Sequence, residues 1–329
     1  AARLVKQLRE GDTVCRVGGD EFVVVLAEIK MGADSAHVAQ KIIETLSLPI
    51  VLEGRELTVT PSIGISVFPD DGRDAEALIR NADAAMYHAK GMGRSNYQFF
   101  TEQMNLAASK RLGLENDLRR AVQKGELTVH YQPITELKTG CVVMHEALVR
   151  WPHASKGVIP PADFIQMAED TGLILKLGET VLRQACVWAA RIGVDKRMPV
   201  AVNLSARQFN DPHLPELIER VLKESGLPAD MLELEITEST VMQQTDATLA
   251  VMQRLRELGV TLAIDDFGTG YSSLAYLKRF PVDKLKIDKT FIDDLHRDSD
   301  DRAIVTVIIG LAHALGLKVV AEGVETEAQ

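Results

Sequence analysis

Cysteine is scarce: Cys15, Cys141 and Cys186 are the only three in 329 residues, scattered and odd in number, which argues against a disulfide framework and fits a reducing, cytoplasmic setting. The eight histidines form no HxH or HExxH pattern, which argues against a zinc site. Basic residues are outnumbered, 37 against 47 acidic ones, and the net charge of −10 disfavours non-specific binding to nucleic acid. The longest apolar stretches, 194–204 and 304–315, are interrupted by polar residues and fall short of the roughly 20 apolar residues that cross a bilayer. There is no initiator Met and no signal-peptide layout; the chain opens on Ala1-Ala2-Arg3 in what reads as a helix.

What remains is ordinary soluble globular composition, 46% apolar and 26% charged, with enough length for two domains. The chain divides near residue 105. Before it, 13–17 and 21–27 read as a hairpin around Gly18-Gly19, and 33–46 as a helix with Ala36, Ala39, Ile42, Ile43 and Leu46 at helical spacing. Residues 57–68 alternate as a strand, and 74–90 form an amphipathic helix stopped by Gly91-Met92-Gly93. The polar stretch 101–124 reads as a connecting helix. Strands follow near 127–134, 142–151, 198–205, 231–237, 260–266, 282–288 and 318–322, with helices at 162–170, 175–191, 213–225, 245–258 and 301–315. That alternation predicts a parallel, barrel-like sheet, one strand short of a closed eight-stranded barrel.

Apolar runs in the last two-thirds end on Glu146, Asn203, Glu235, Asp265-Asp266, Lys286 and Glu322. From Asn203 to Glu235 to Asp265 the interval is about thirty residues, one strand–helix unit, so these ends converge on a barrel mouth. Strand alternation supports a single site. Asn203 opposes Val202 and Leu204, Glu235 opposes Leu234 and Ile236, Asp265 opposes Leu262 and Ile264, and Lys286 opposes Leu285 and Ile287. Glu146, Leu148 and Arg150 likewise share a face. Any one of these alone reads as a polar strand end facing solvent, but five strands agreeing in parity and position do not.

Clustered carboxylates need a cation, and carboxylate and amide oxygens select Mg²⁺ or Mn²⁺. Two divalent ions, with Asp265 or a neighbour bridging, suit phosphodiester hydrolysis. Arg150 fits a phosphate oxygen, and Lys286 would hold the attacking water or neutralise developing charge.

Glu146-Ala147-Leu148-Val149-Arg150-Trp151 resembles the signature of the EAL domain, the family of cyclic di-GMP phosphodiesterases. The likeness runs over about residues 105–329 through Tyr131-Gln132-Pro133, Asn203-Leu204-Ser205, Glu235-Ile236-Thr237-Glu238, Asp265-Asp266-Phe267-Gly268-Thr269-Gly270, Lys286-Ile287-Asp288 and Ala321-Glu322-Gly323-Val324-Glu325. The resemblance implies a modified (β/α)8 TIM-like barrel and hydrolysis of cyclic di-GMP to linear pGpG, in bacterial second-messenger signalling. By it, Glu146, Asn203, Glu235 and Asp265 would bind one Mg²⁺ or Mn²⁺, and Asp266 with Asp265 and Glu322 a second. Lys286 and Glu322 would handle the nucleophilic water, while Arg150, Gln132 and Leu148 would contact the substrate. Glu238 would support the 266–270 loop, which Gly268 and Gly270 leave free to move.

Gly18-Gly19-Asp20-Glu21-Phe22 resembles the GGDEF hairpin of diguanylate cyclases. The stretch from Ala82 to Lys90, followed by Gly93-Arg94, resembles that family's closing helix, where Lys90 and Arg94 would meet triphosphate. Arg9-x-x-Asp12 matches its product-inhibition site. The resemblance covers 1–100 and only the C-terminal half of that α+β domain, so cyclase activity is not expected of this chain. The expected domains are therefore 1–100 (GGDEF, C-terminal part), a connecting helix at 101–124, and 125–329 (EAL, last strand missing), a piece of a longer protein whose upstream part could carry a sensor or a membrane anchor. Two alternatives to the phosphodiesterase stand: a receptor that holds cyclic di-GMP without cutting it, and an EAL domain regulated by GTP or cyclic di-GMP at the GGDEF half. EAL domains commonly dimerise, so a homodimer is one of the states expected.

Overall fold

The computed structural model describes residues 1–9, 11–29, 32–52, 55–193, 198–242, 246–269, 277, 279–295 and 297–329, apart from the side chains of 32–33, 51–52, 55, 105–109, 193 and 246–247. The chain forms two compact units, Ala1–Leu114 and Glu115–Gln329. The division falls inside one helix, Glu102–Lys124. Among the described residues no helix is long and apolar enough to cross a membrane.

In the first unit, β1 (Thr13–Gly18) and β2 (Glu21–Val25) form an antiparallel hairpin. The helix Gly32–Leu46 follows, burying Ala39, Ile42 and Ile43. A second hairpin, β3 (Ile50–Leu52) with β4 (Arg55–Leu57), was not foreseen from the sequence. The expected strand over 57–68 is not continuous: β4 ends at Leu57 and β5 (Ser62–Ile65) begins after Pro61, whose ring nitrogen has no hydrogen to give a ladder. β5 pairs in parallel with β6 (Asn96–Phe99) across the helix Ala75–Gly91. Asp74 caps that helix by accepting from the Ala77 amide at 2.8 Å. The helix lies so close to β5 that a Cβ on Gly64 would meet the Ala82 carbonyl oxygen at 1.9 Å.

The second unit is one sheet in the order β14-β13-β12-β11-β10-β8-β7. Its strands are β7 (Thr128–Thr135), β8 (Val142–His153), β10 (Val200–Leu204), β11 (Leu232–Thr237), β12 (Thr261–Phe267), β13 (Lys284–Ile287) and β14 (Lys318–Ala321), with β9 (Gly157–Ile159) attached to β8. From β8 to β14 the path is parallel, but β7 runs antiparallel to β8, a departure from the all-parallel expectation. The 136–141 loop between them is too short for the crossover that a parallel pair needs. Helices Pro161–Thr171, Leu173–Gly193, Leu214–Ser225, Asp246–Glu257 and Ser299–Ala314 supply the β/α alternation. Val202, Leu234, Ile264 and Leu285 form the outward, helix-covered core of a curled half-barrel, a modified TIM-type arrangement.

Candidate active site

The inward faces of five parallel strands bring the expected residues to one point, the ammonium of Lys286 on β13. Its Nζ lies 2.7 Å from Glu235 Oε2 on β11, 3.1 Å from Asp265 Oδ2 on β12 and 3.5 Å from Glu146 Oε2 on β8. Glu322, just past β14, completes the ring at 2.7 Å. Asn203 on β10 donates from Nδ2 to Glu146 Oε1 at 2.7 Å. The side chains of Lys286 and Glu235 are 1% and 0% exposed, so the centre of the cluster is interior, while Asn203 is exposed.

Four carboxylates face one ammonium, and the titration of Lys286, Glu235 and Glu322 reflects it. Burial alone would push Lys286 down, but Glu235, Asp265, Glu146 and Glu322 outweigh it and hold the ammonium well above the ordinary lysine value. Burial pushes Glu235 well above the usual carboxylate range; Lys286 opposes this, while Glu146 and Asp265 add to it. Glu322 is raised for the same reasons, burial first. One oxygen of Glu235, Oε1, is buried with no hydrogen-bond partner among the described residues. Buried polar atoms are normally paired, so that oxygen is one that could hold a cation.

Adjacent residues of a strand should face opposite ways, yet Asp265 and Asp266 both serve the cluster. The backbone explains it: Asp266 has φ 53°, and the β12–β13 register shifts between Ile264 and Phe267. This bulge lets Asp265, Asp266 and Glu322 present oxygens within 4.8 Å of one another. Asp266 is pushed up to about 6 by burial, by Asp265 and by Asp288, with which it shares a hydrogen bond. Asp288 is also raised by burial, but donors from Thr290 and that shared hydrogen bond hold it below the usual range. Beyond the bulge, buried Glu238 accepts from the Gly268 amide at 2.9 Å, a geometry that fits loop support. Gly270 lies outside the described residues.

Gln132 sits directly across the ladder from Glu146, and His130 and Thr128 face Leu148 and Arg150. The Arg150 guanidinium donates to the Val149 carbonyl at 2.9 Å and has no carboxylate partner among the described residues. In the first unit, Gly18 pairs with Glu21 and Arg16 with Phe22, Gly19 has φ 48°, and Asp20 is exposed at the hairpin tip. Lys90 lies in the last turn of its helix, and Arg94 follows with φ 62°. The Asp12 carboxylate accepts from the backbone amides of Arg9 and Ala27, at 3.0 and 3.2 Å.

Three residues had no role assigned from sequence, Asp288 and the buried pair Glu233 and Lys284. The signal was strand parity, which puts Lys284 and Asp288 on the Lys286 face and Glu233 on the Glu235 face.

The EAL domain model matches residues 115–329, most of the chain and all of this site. The chain belongs to the EAL family. Residues 1–96 match the diguanylate cyclase GGDEF domain, so an EAL domain here follows a GGDEF segment. The bifunctional diguanylate cyclase/cyclic di-GMP phosphodiesterase MucR of Pseudomonas aeruginosa is 46% identical over 333 residues, covering 100% of this chain and 48% of MucR. The cyclic di-GMP phosphodiesterase NbdA of the same organism is 44% identical over 329 residues, covering 99% of this chain and 42% of NbdA. The chain thus spans less than half the length of these curated relatives. Among solved structures, the PaMucR phosphodiesterase in complex with c-di-GMP is 47% identical, with a TM-score of 0.64 over 66% of this chain and 88% of that one.

Proposed function

We propose that the EAL unit hydrolyses cyclic di-GMP to linear pGpG in a metal-dependent reaction. The observation that carries this reading is the single inward-facing set of Glu146, Asn203, Glu235, Asp265 and Glu322 around Lys286, with the unpartnered Glu235 oxygen among them. Relatives named as cyclic di-GMP phosphodiesterases and a c-di-GMP complex at 47% identity support the choice of substrate.

The donors are carboxylate and amide oxygens without Cys or His, a set that fits hard ions. Glu146, Asn203, Glu235 and Asp265 would hold one Mg²⁺ or Mn²⁺, and Asp265, Asp266 and Glu322 a second. When bound, such a pair lowers the pKa of a water and offsets charge on the reacting phosphate. Lys286, kept cationic by its neighbours, donates; it orients the water and neutralises charge growing on the phosphoryl oxygens. Glu322 accepts a hydrogen bond from the same water. The water oxygen bonds to phosphorus as the P–O3′ bond breaks, and one proton ends on O3′, leaving a 5′-phosphate and a free 3′-hydroxyl. Arg150 grips a phosphate oxygen in bidentate fashion, with Gln132 and Leu148 beside it. In the first unit, the Gly18–Phe22 hairpin with Lys90 and Arg94 is assigned to GTP, and Arg9 with Asp12 to cyclic di-GMP.

Incubation with cyclic di-GMP and Mg²⁺ or Mn²⁺, followed by chromatography for pGpG, tests the reading. Chelation should stop product formation. Tight cyclic di-GMP binding with no pGpG at saturating metal would instead make this EAL domain a receptor.

A further inference from the structure

Two residues below Glu235 and Lys286 on the same strands and the same inward face lies a second ion pair, Glu233 with Lys284. Lys284 Nζ donates to Glu233 Oε1 at 2.7 Å, the same length as the Lys286–Glu235 contact above it. Both residues are buried, at 4% and 8% exposure. The pair joins β11 to β13 over the intervening β12, and Lys284 also reaches Met144 Sδ on β8 at 3.0 Å. Room for the lysine stem comes from Ala263, fully buried and directly across from Lys284 in the ladder.

The two layers differ in one respect. Glu233 has a partner beside each oxygen: Lys284 Nζ at Oε1, and at Oε2 the Thr261 hydroxyl, 3.4 Å away, whose single proton the Leu232 carbonyl also competes for at 3.3 Å. Glu235 Oε1 has no partner among the described residues. The lower pair is closed and the upper one is available. A buried ion pair gives little net stability against apolar side chains of similar size, so stability alone does not account for it. We propose that Glu233–Lys284 is a positioning strut that fixes β11 against β13, so that Glu235 and Lys286 keep their places when Glu235 exchanges the ammonium for a metal ion. This rests on the metal-dependent reading above.

The double variant E233M/K284M fills the layer with apolar side chains and tests the strut. Three readouts are compared with the unsubstituted protein: melting temperature without metal, Mn²⁺ affinity by calorimetry, and pGpG formation. The strut predicts a melting temperature at or above that of the parent, Mn²⁺ affinity weakened about tenfold, and kcat down about tenfold with KM for cyclic di-GMP within about twofold. Unchanged Mn²⁺ affinity and kcat in the folded double variant overturn the proposal. Should that variant not fold, E233Q, which keeps shape and still accepts from Lys284, should lose about threefold in Mn²⁺ affinity; no loss overturns it as well. A parent protein that neither binds Mn²⁺ nor releases pGpG would sink the phosphodiesterase reading, whereas variants matching a working parent sink only the strut.

Discussion

Lys286 Nζ and Glu235 Oε2 stand 2.7 Å apart with both side chains almost wholly out of solvent, so neither is free to change alone. Removing the ammonium by Lys286→Met leaves Glu146, Glu235, Asp265 and Glu322 without their shared cation. The metal-free protein should lose about 3–5 kcal/mol of stability in denaturant melts. Saturating Mn²⁺ should recover a larger share of stability in this variant than it adds to the parent, because the ion takes over the neutralising role. Equal melts with and without Lys286 would count against the cluster as a charge-balanced unit.

The pH dependence of metal binding follows from the raised carboxylates. Asp266 is held at about 6, above its ordinary value, by burial and by its acidic neighbours. Its folded-state value exceeds the unfolded one, so its stabilising contribution in the metal-free protein is present below the unfolded value and is lost as pH rises through about 6. Glu235 and Glu322 are shifted the same way. A bound cation favours the ionised forms and reverses the trend. The rise in melting temperature on adding Mg²⁺ should therefore be larger at pH 8 than at pH 5, measured by scanning fluorimetry; an increment independent of pH would contradict it.

Glu238 holds Gly268, which has φ 104° and whose added Cβ would meet Phe291 Cε2 at 2.9 Å. Gly268→Ala and Glu238→Ala should both disturb the turn carrying Asp266 and lower kcat by about 10- to 100-fold, with a weaker Mn²⁺ response. Full activity in both variants would separate the turn from the site.

Strand parity made the site legible in the sequence because the second unit is mostly parallel β/α structure, where one face packs on helices and the other faces inward. Glu146, Asn203, Glu235, Asp265 and Lys286 all follow that alternation, and Glu322 comes just past the end of β14. Asp266 does not, because a bulge with positive φ turns it, and no residue pattern announces such a bulge at a non-glycine. The antiparallel β7 escaped for a related reason: alternation carries no direction, and only the short 136–141 loop reveals the reversal. In the first unit, the break between β4 and β5 was signalled by Pro61, which the alternating pattern around it obscured. Asp288 and the Glu233–Lys284 pair lay on the faces that parity picked out, but pairing between strands that are not neighbours can be seen only in three dimensions.

Arg150 has no carboxylate partner among the described residues and is available to a phosphate. Arg150→Ala should raise KM for cyclic di-GMP about tenfold or more while changing kcat less, the signature of lost binding. Steady-state kinetics with a normal KM and a collapsed kcat would assign Arg150 to the chemical step instead.

The most direct measurement of the central claim is the rate of pGpG formation by Glu146→Ala at saturating Mn²⁺, beside its affinity for cyclic di-GMP. Glu146 touches both Asn203 and Lys286, so its loss opens the face proposed to hold the metal without touching Arg150. The predicted result is a rate at least about 100-fold below that of the parent, with cyclic di-GMP still bound. A variant that cleaves at close to the parent rate would contradict the assignment of this inward-facing cluster as the metal-dependent catalytic site.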